Sequence, residues 1–271
     1  MRRGAETLLR DLIHERVGLL FDDSKINLLA DKLTPLVIER GFDSFLDYYY
    51  LLKYDTDSTI EWHNVVNALT VQETYFWREM DQIHGLAEEV IPALLAKHPN
   101  WPIRIWSAAC ATGEEPLTIA MRLNESGWFE RANIEIYASD ASSAALERAQ
   151  KGSYRDRAFR ALPADLKEKY FTPNGREWHI APALRERIKW TQANILEADE
   201  TALLASVSVI FCRNVFIYFS PGAVRRVVDS FAERMIAPAF LFVGAAESLL
   251  KVTDDFELEE IGNAFVYVKR N

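Results

Sequence analysis

The sequence is poor in cysteine and has no long apolar run. Its two cysteines among 271 residues are too few for a disulfide-stapled fold and are typical of a reducing compartment. The cysteines and the five histidines lack zinc-ligand spacing, so we predict no metal site. The longest apolar stretch, around residues 239–246, is far shorter than the ~20 residues that span a bilayer. We therefore expect a cytoplasmic protein that does not insert into a membrane.

An excess of positive charge is also missing. The chain carries 31 Lys and Arg against 40 Asp and Glu, a net charge of −9. A general DNA or RNA binder neutralises phosphates with surplus basic residues, so we expect no nucleic-acid partner. Residues 151–193 are the exception, with ten basic and five acidic residues.

Two apolar patterns divide the chain. Through about residue 98, apolar residues recur at helical spacing, which predicts an all-α domain over 1–78 and a linker helix over 79–98. From residue 99 onward, short β-branched or aromatic runs alternate with helical ones, which is typical of a parallel sheet. The expected fold class is therefore α/β: a Rossmann-like sheet with helices on both faces over 99–271, preceded by the all-α domain.

Three local features refine this prediction. Residues 152–193 break the alternation and predict a small antiparallel β insert, although the run RIKWTQA (187–193) could join the main sheet instead. The runs on either side of Gly262 predict an antiparallel hairpin at the end of the sheet. Proline lacks a backbone donor, so Pro35 should kink or split the second helix and Pro92 should interrupt the linker helix.

Polar residues follow three predicted strands, where ligands of doubly wound sheets bind. The turn after the first strand ends in Gly113-Glu114-Glu115, and two acids there would repel a pyrophosphate. A ligand with hydroxyls and a positive charge fits better, and an ordinary helix start with favourable acids is the alternative. Asp140, after the second strand, is placed to accept hydrogen bonds from ribose hydroxyls, or else to cap the next helix. Arg213 and Asn214 would form a pocket wall.

Four motifs resemble those of the CheR family, the chemoreceptor glutamate O-methyltransferases. They are TYFWR (74–78), IWSAACATGEEP (105–116), ASD (138–140) and IFCRNVFIYF (210–219). The resemblance covers nearly the whole chain in order. It implies S-adenosylmethionine (SAM) as methyl donor, S-adenosylhomocysteine as product, and glutamate side chains of an acidic chemoreceptor helical bundle as acceptors, with the enzyme acting as a monomer.

Carried over residue by residue, the resemblance implies a donor site and an acceptor site. Arg78 and Tyr218 would face the methyl group and the acceptor as the catalytic residues. Because glutamate is ionised at pH 7, attack on the methyl group needs no general base, and we assign Arg78 a positioning role. Without the resemblance, Arg78 would be interpreted as a surface ion-pair residue and Tyr218 as a core aromatic. The implied donor-binding residues are Gln72, Thr74, Arg78, Ala108, Gly113, Glu115, Asp140, Asn194, Ile195, Arg213 and Asn214.

The chain departs from the family pattern in four places. Gln72 stands where an Asn is expected, and Gly-Ala-Ala-Glu at 244–247 replaces Gly-His-Ser-Glu, which changes the two residues before Glu247. The second helix has few basic residues for an acidic receptor. The insert turn at 172–176 is short where members that bind a receptor C-terminal pentapeptide have a glycine-rich loop, so we predict no tight pentapeptide tether.

The basic insert is an alternative docking surface for the acidic receptor, and a merely solvated charged face is the competing interpretation. Two other functions also stay open: a non-catalytic scaffold that senses SAM, and a methyltransferase with a different acceptor. A DNA amino group is disfavoured as acceptor, because Asn214 is followed by Val215 and Phe216 rather than by two prolines. The basic residues expected to dock the receptor are Arg155, Arg157, Arg160, Lys167, Lys169 and Arg185.

Overall fold

The N-terminal region is a helical domain with its own core. The computed structural model describes residues 3–56 and 58–270. The first four helices are α1 (Arg3–Val17), α2 (Ile26–Glu39), α3 (Phe45–Tyr54) and α4 (Ser58–Leu69). Their apolar faces meet around Ile13, Leu33 and Tyr48, which are almost fully buried. Helix α2 is not split at Pro35, because Leu33 and Val37 on either side of the proline are buried in this same core.

The linker helix is interrupted near its predicted proline. Helix α5 (Met80–Gly85) continues through a wider turn (Leu86–Val90) into α6 (Ile91–Lys97), with Pro92 in the first turn of α6. Proline cannot donate a hydrogen bond and its ring crowds the preceding turn, so the helix widens immediately before it. The predicted interruption at Pro92 is therefore found.

The remainder of the chain builds a seven-stranded sheet and a small three-stranded sheet. The strands are β1 (Ile103–Ala108), β2 (Ile134–Asp140), β3 (Ser153–Tyr154), β4 (Phe171–Asn174), β5 (Glu177–Ile180), β6 (Ile188–Gln192), β7 (Val209–Cys212), β8 (Ala239–Val243), β9 (Glu257–Ile261) and β10 (Ala264–Lys269). The main sheet has the order β6-β2-β1-β7-β8-β10-β9 and the small sheet the order β3-β5-β4. The first five strands of the main sheet are parallel, and β10 runs antiparallel to both β8 and β9.

Helices cover both faces of the main sheet. The helices of this part of the chain are α7 (Glu114–Glu125), α8 (Trp128–Arg131), α9 (Ser143–Lys151), α10 (Ala164–Tyr170), α11 (Pro182–Arg185), α12 (Ala198–Ala205) and α13 (Pro221–Arg234), of which α10 and α11 belong to the insert. Side chains of a strand alternate between faces, so Ile105 packs in one core with α7 while Trp106 packs in the other against α13. The predicted fold class and the terminal hairpin are confirmed. Among the described residues no helix has the length and apolar character to cross a bilayer.

The strand order reverses at β1, which places the site. The chain moves from β1 to β2 and β6 on one side, then crosses back to β7 on the other. A crevice opens at the carboxyl ends of strands where such a crossover separates the two directions. The polar residues after β1, β2 and β7 therefore converge there.

The insert is shorter than predicted. Strand β6 pairs in parallel with β2 over five residues, from Ile136 opposite Ile188 to Asp140 opposite Gln192, and so belongs to the main sheet. Only β3, β4 and β5 form the separate antiparallel sheet, so the insert ends before Ile188 rather than at residue 193. Burial of Ile188 in the main core favours this pairing. Helix α12 was not predicted.

Gly113 immediately precedes α7 and is closely packed. Its φ of +90° is a left-handed conformation that favours glycine, and a Cβ there would lie 2.8 Å from the Trp190 ring and 2.9 Å from the Ala149 Cβ. The missing side chain therefore lets the start of α7 lie directly against β6 and α9.

We expect Gly113→Ala to destabilise the fold by on the order of 3 kcal/mol, because backbone strain and overpacking add. Gly222→Ala in α13 is the matched control, since no atom lies within 4 Å of its added Cβ. Thermal unfolding should show a clear fall in Tm for the first variant and an unchanged or slightly raised Tm for the second. Equal Tm values for the two variants would contradict the packing argument.

Candidate functional site

A cavity of about 350 Å³ lies at the carboxyl ends of β1, β2 and β7, beneath the N-terminal helices. Both domains contribute to its wall. Most of the predicted site residues line it: Gln72, Thr74, Arg78, Glu115, Asp140, Asn194, Ile195, Arg213, Asn214 and Tyr218. Ala108 and Gly113 lie behind the wall, the first buried at the end of β1 and the second packed against Trp190. The structure thus brings residues from distant parts of the sequence to one cavity.

Asp140 is a buried acceptor at the end of β2. Its Oδ2 accepts a hydrogen bond from the backbone N–H of Ala111 at 2.9 Å, and its Oδ1 accepts one from Ser142 at 2.8 Å. Burial raises the pKa of this carboxyl. The cap of α9 is Ser142, whose side chain accepts from the N–H of Ala145, so Asp140 does not serve as that cap. Each carboxylate oxygen keeps capacity to accept a hydroxyl of a ligand.

Arg213 is the most deeply buried cation of the cavity, with 2% of its side chain exposed. Its Nη2 donates to the carbonyl oxygen of Arg78 at 2.8 Å and lies 3.5 Å from Oε2 of Glu79. Its Nε lies 3.3 Å from Oε2 of Glu115. The Nη1 group has no hydrogen-bond partner in the described part of the chain. A buried guanidinium donor is therefore left for a ligand.

Glu115 faces the same guanidinium from the start of α7. Its Oε1 accepts a hydrogen bond from the Ser107 hydroxyl at 2.7 Å. Burial raises the pKa of Glu115, and the nearby charge of Arg213 acts in the opposite direction. A positively charged ligand beside Glu115 would likewise favour its ionised form.

The loops around the cavity hold strained backbone. Across residues 3–56 and 58–270, the non-glycine residues with positive φ are Trp77, Glu79, Ala109, Ala111 and Asn214. All five lie in the segment before α5 or in the turns after β1 and β7, beside the cavity. Such residues cost about 1–3 kcal/mol each and persist where surrounding contacts hold them.

Glu247 provides one of these holding contacts, and the sequence analysis did not place it in the site. Its Oε2 accepts from the backbone N–H of Asn214 at 2.8 Å and of Gly244 at 2.6 Å, and its Oε1 accepts from Ile217 at 3.2 Å. A Cβ at position 244 would lie 2.5 Å from Nδ2 of Asn214. Gly244 and Glu247, the two residues at 244–247 that match the family pattern, are thus the ones that make these contacts. The position of Glu247 directly after the apolar stretch at 239–246 was the available signal in the sequence.

Two side-chain amides join the domains at the cavity wall. Nδ2 of Asn194 donates to the carbonyl oxygen of Arg16 at 2.9 Å, which ties the end of α1 to the segment after β6. Nε2 of Gln72 donates to the Ser142 hydroxyl at 3.3 Å, and its Oε1 accepts from Arg148 at 3.2 Å. These hydrogen bonds connect the helical domain to the segment after β6 and to the start and middle of α9 at the cavity wall.

Arg78 and Tyr218, the two residues expected to meet the acceptor, are only partly buried. Nη1 of Arg78 donates to the carbonyl oxygen of Glu73 at 3.2 Å, and 27% of the Arg78 side chain is exposed. Tyr218 is half-buried, and within the described residues its hydroxyl has no hydrogen-bond partner. Both side chains therefore have donors available to a molecule that reaches the cavity from solvent.

The charged and hydrogen-bonding side chains around the cavity fit SAM. Asp140 can accept from ribose hydroxyls, Glu115 supplies negative charge for a cation, and the unpartnered Nη1 of Arg213 can bind a carboxylate. No cluster of metal-ligating side chains occurs among the residues that the structure covers.

Comparison with known proteins supports the same assignment. The family model "CheR methyltransferase, SAM binding domain" matches residues 72–265, and "CheR methyltransferase, all-alpha domain" matches residues 7–70. Chemotaxis protein methyltransferase 2 of Vibrio cholerae serotype O1 is 34% identical over 263 residues, which is 96% of this chain and 91% of that protein. Chemotaxis protein methyltransferase Cher2 of Pseudomonas putida is 29% identical over 267 residues, which is 95% of each chain. The chain therefore belongs to the CheR methyltransferase family and is a SAM-dependent methyltransferase.

Proposed function

We propose that the enzyme transfers the methyl group of SAM to glutamate side chains of a chemoreceptor-type signalling protein, forming glutamate methyl esters. The observation that carries this proposal is the cavity at the carboxyl ends of β1, β2 and β7. It combines buried donor-binding groups with two partly exposed side chains, Arg78 and Tyr218. The relatives named above are chemotaxis protein methyltransferases, which supports a receptor carboxylate as acceptor.

Residues on the sheet side would hold the donor. Asp140 would accept hydrogen bonds from ribose hydroxyls with the lone pairs that Ala111 and Ser142 leave free. Glu115 would offset the positive charge of the donor, and Nη1 of Arg213 would bind its carboxylate. Bound SAM supplies an electrophilic methyl group on a positively charged sulfur. Further donor contacts would come from Gln72, Thr74, Asn194, Ile195 and Asn214.

Residues on the open side would place the acceptor. A glutamate side chain is ionised at pH 7 and is itself the nucleophile, so the enzyme has to align it and exclude water. Arg78 would orient the carboxylate with paired hydrogen bonds, and the Tyr218 hydroxyl would donate to the same group. An ion pair that is too tight would weaken the nucleophile. The partial exposure of Arg78 limits the strength of such a pair, because solvent screens it.

The basic insert is proposed as the receptor docking face. Five of its six named basic residues lie near a carboxylate of this chain, as Arg155 does with Glu177 at 3.5 Å. These contacts reduce the positive field but leave exposed groups, since 80% of the Arg155 side chain and 53% of the Lys169 side chain reach solvent. An acidic receptor bundle would compete for them at low ionic strength.

The reaction is tested by incubating the enzyme with methyl-labelled SAM and the cytoplasmic fragment of a chemoreceptor. We expect label on glutamate as a base-labile ester, located by mass spectrometry. Binding of SAM without transfer to any receptor fragment would instead favour the non-catalytic SAM-sensing scaffold. Base-stable label, or label on a small molecule, would point to a different acceptor.

Substitutions at Asp140 and Arg78 separate donor binding from acceptor placement. Asp140→Ala should weaken SAM binding about tenfold or more, because hydrogen bonds to a charged group are lost. Arg78→Ala should lower kcat about 100-fold while the Kd for SAM changes less than about threefold, because its hydrogen bonds serve the acceptor carboxylate. Calorimetry and single-turnover assays give these values, with the exposed Asp165→Ala as control. Equal losses in kcat and SAM affinity for Arg78→Ala would contradict its assigned role.

Docking is tested by reversing charge at the exposed insert positions. The double variant Arg155→Glu, Lys169→Glu should raise the KM for the receptor fragment about tenfold at low salt. The effect should shrink in about 0.5 M salt, because the Debye length there is roughly half its value at physiological ionic strength. Lys97→Glu, Lys251→Glu is the matched control with the same change in net charge outside the insert. If both double variants change KM equally, the insert is not the docking face.

A further inference from the structure

Two arginines from different parts of the chain lie against one aromatic ring beside the cavity. Cζ of Arg160, which belongs to the insert, is 3.7 Å from the centroid of the Tyr75 ring. Cζ of Arg78, which lines the cavity, is 5.4 Å from the same centroid. Guanidinium groups are attracted to aromatic faces at such distances. The Tyr75 ring therefore connects the insert to Arg78.

Glu73 ties the same groups together from the other side. Its carbonyl oxygen accepts from Nη1 of Arg78 at 3.2 Å. Its Oε1 lies 3.5 Å from Nη2 of Arg157 and 3.9 Å from Nη2 of Arg160. We call Glu73, Tyr75, Arg78, Arg157 and Arg160 the arginine cluster. It holds three positive groups and one carboxylate, so Arg160 and Arg78 repel each other while both stay near Tyr75.

The backbone beneath this cluster is firmly attached to the insert. The N–H of Phe76 donates to the carbonyl oxygen of Ala158 at 2.9 Å. The Phe76 ring is fully buried, and its centroid lies 4.8 Å from that of Tyr154 and 5.0 Å from that of Phe171. The backbone that carries Tyr75 and Arg78 is therefore anchored to the insert by a hydrogen bond and by buried aromatic packing.

We propose that Arg160 is a positioning residue that acts on Arg78 through the Tyr75 ring. By packing against the ring it holds one side of Tyr75, and its charge disfavours rotamers of Arg78 that turn towards the insert and away from the cavity. The insert thus helps to fix the conformation of Arg78 at the acceptor site, in addition to its proposed role as the docking face. This inference rests on the proposed function, in which Arg78 orients the acceptor carboxylate.

The first test compares kcat with KM and with SAM affinity. Arg160→Gln should lower kcat about tenfold at saturating receptor fragment, with an unchanged Kd for SAM as evidence of an intact donor site. Tyr75→Leu should cause a similar loss, and Tyr75→Phe, which keeps the ring, should restore most of kcat. Arg187→Gln is the matched control, because Arg187 is an insert arginine stacked on another ring, Phe129, at 4.6 Å. We expect wild-type kcat for this control.

The second test is a double-mutant cycle. If Arg160 acts only through Arg78, Arg160→Gln should cause no further loss of kcat in the Arg78→Ala protein. The same fold loss in both backgrounds would overturn the proposal. A change confined to KM for the receptor would also overturn it, because that result would make Arg160 a docking residue alone.

Failure of the proposed function would look different. In that case the wild-type protein would form no base-labile ester on any receptor fragment. Failure of the present inference would appear in an active wild-type enzyme, as an unchanged kcat for Arg160→Gln or Tyr75→Leu.

Discussion

The buried guanidinium of Arg213 joins the three segments from which the site is built. A cation that is almost fully removed from water is tolerated only beside compensating charge and acceptors. Glu115 from the start of α7, and Glu79 and the carbonyl oxygen of Arg78 from the segment before α5, meet this demand. The end of β7, the start of α7 and the interdomain segment are thereby held at one point, and the cavity lies between them.

The strained loops around the cavity depend on the same group of contacts. Glu79 and Asn214 both have positive φ, and Nδ2 of Asn214 donates to Oε1 of Glu79 at 3.3 Å. The Glu247 carboxylate accepts hydrogen bonds from the backbone N–H groups of Asn214 and Gly244 and so stabilises this loop. Asp140 and Arg213 are therefore buried and held in place by their partners, whereas Arg78 and Tyr218 are only partly buried. This difference in burial agrees with the proposed function, in which a small methyl donor is enclosed and the acceptor belongs to another protein.

Most of the fold, and the polar residues at the strand ends that line the cavity, were predictable, because strand ends and apolar periodicity are local properties. Asp140, Arg213 and Asn214 each follow a predicted strand directly. Other features were not predictable from local pattern. The run 187–193 suited either sheet, and only its pairing with β2 decided the matter. Gly113 matched a donor-binding motif, yet its conformation and its neighbour Trp190 give it a packing role.

The order and type of residues along the chain determined the α/β class, the all-α domain, the chemistry suited to SAM and the main polar residues of the cavity. Tertiary structure alone decided that Glu247 supports Asn214 across 33 positions, and that Glu73 meets Arg157 across 84. Contacts at such separations depend on how whole elements pack, and they leave no periodic signal in the sequence. For the same reason, the basic charge of the insert was visible in the composition, but the direction of Arg160 towards Tyr75 was not.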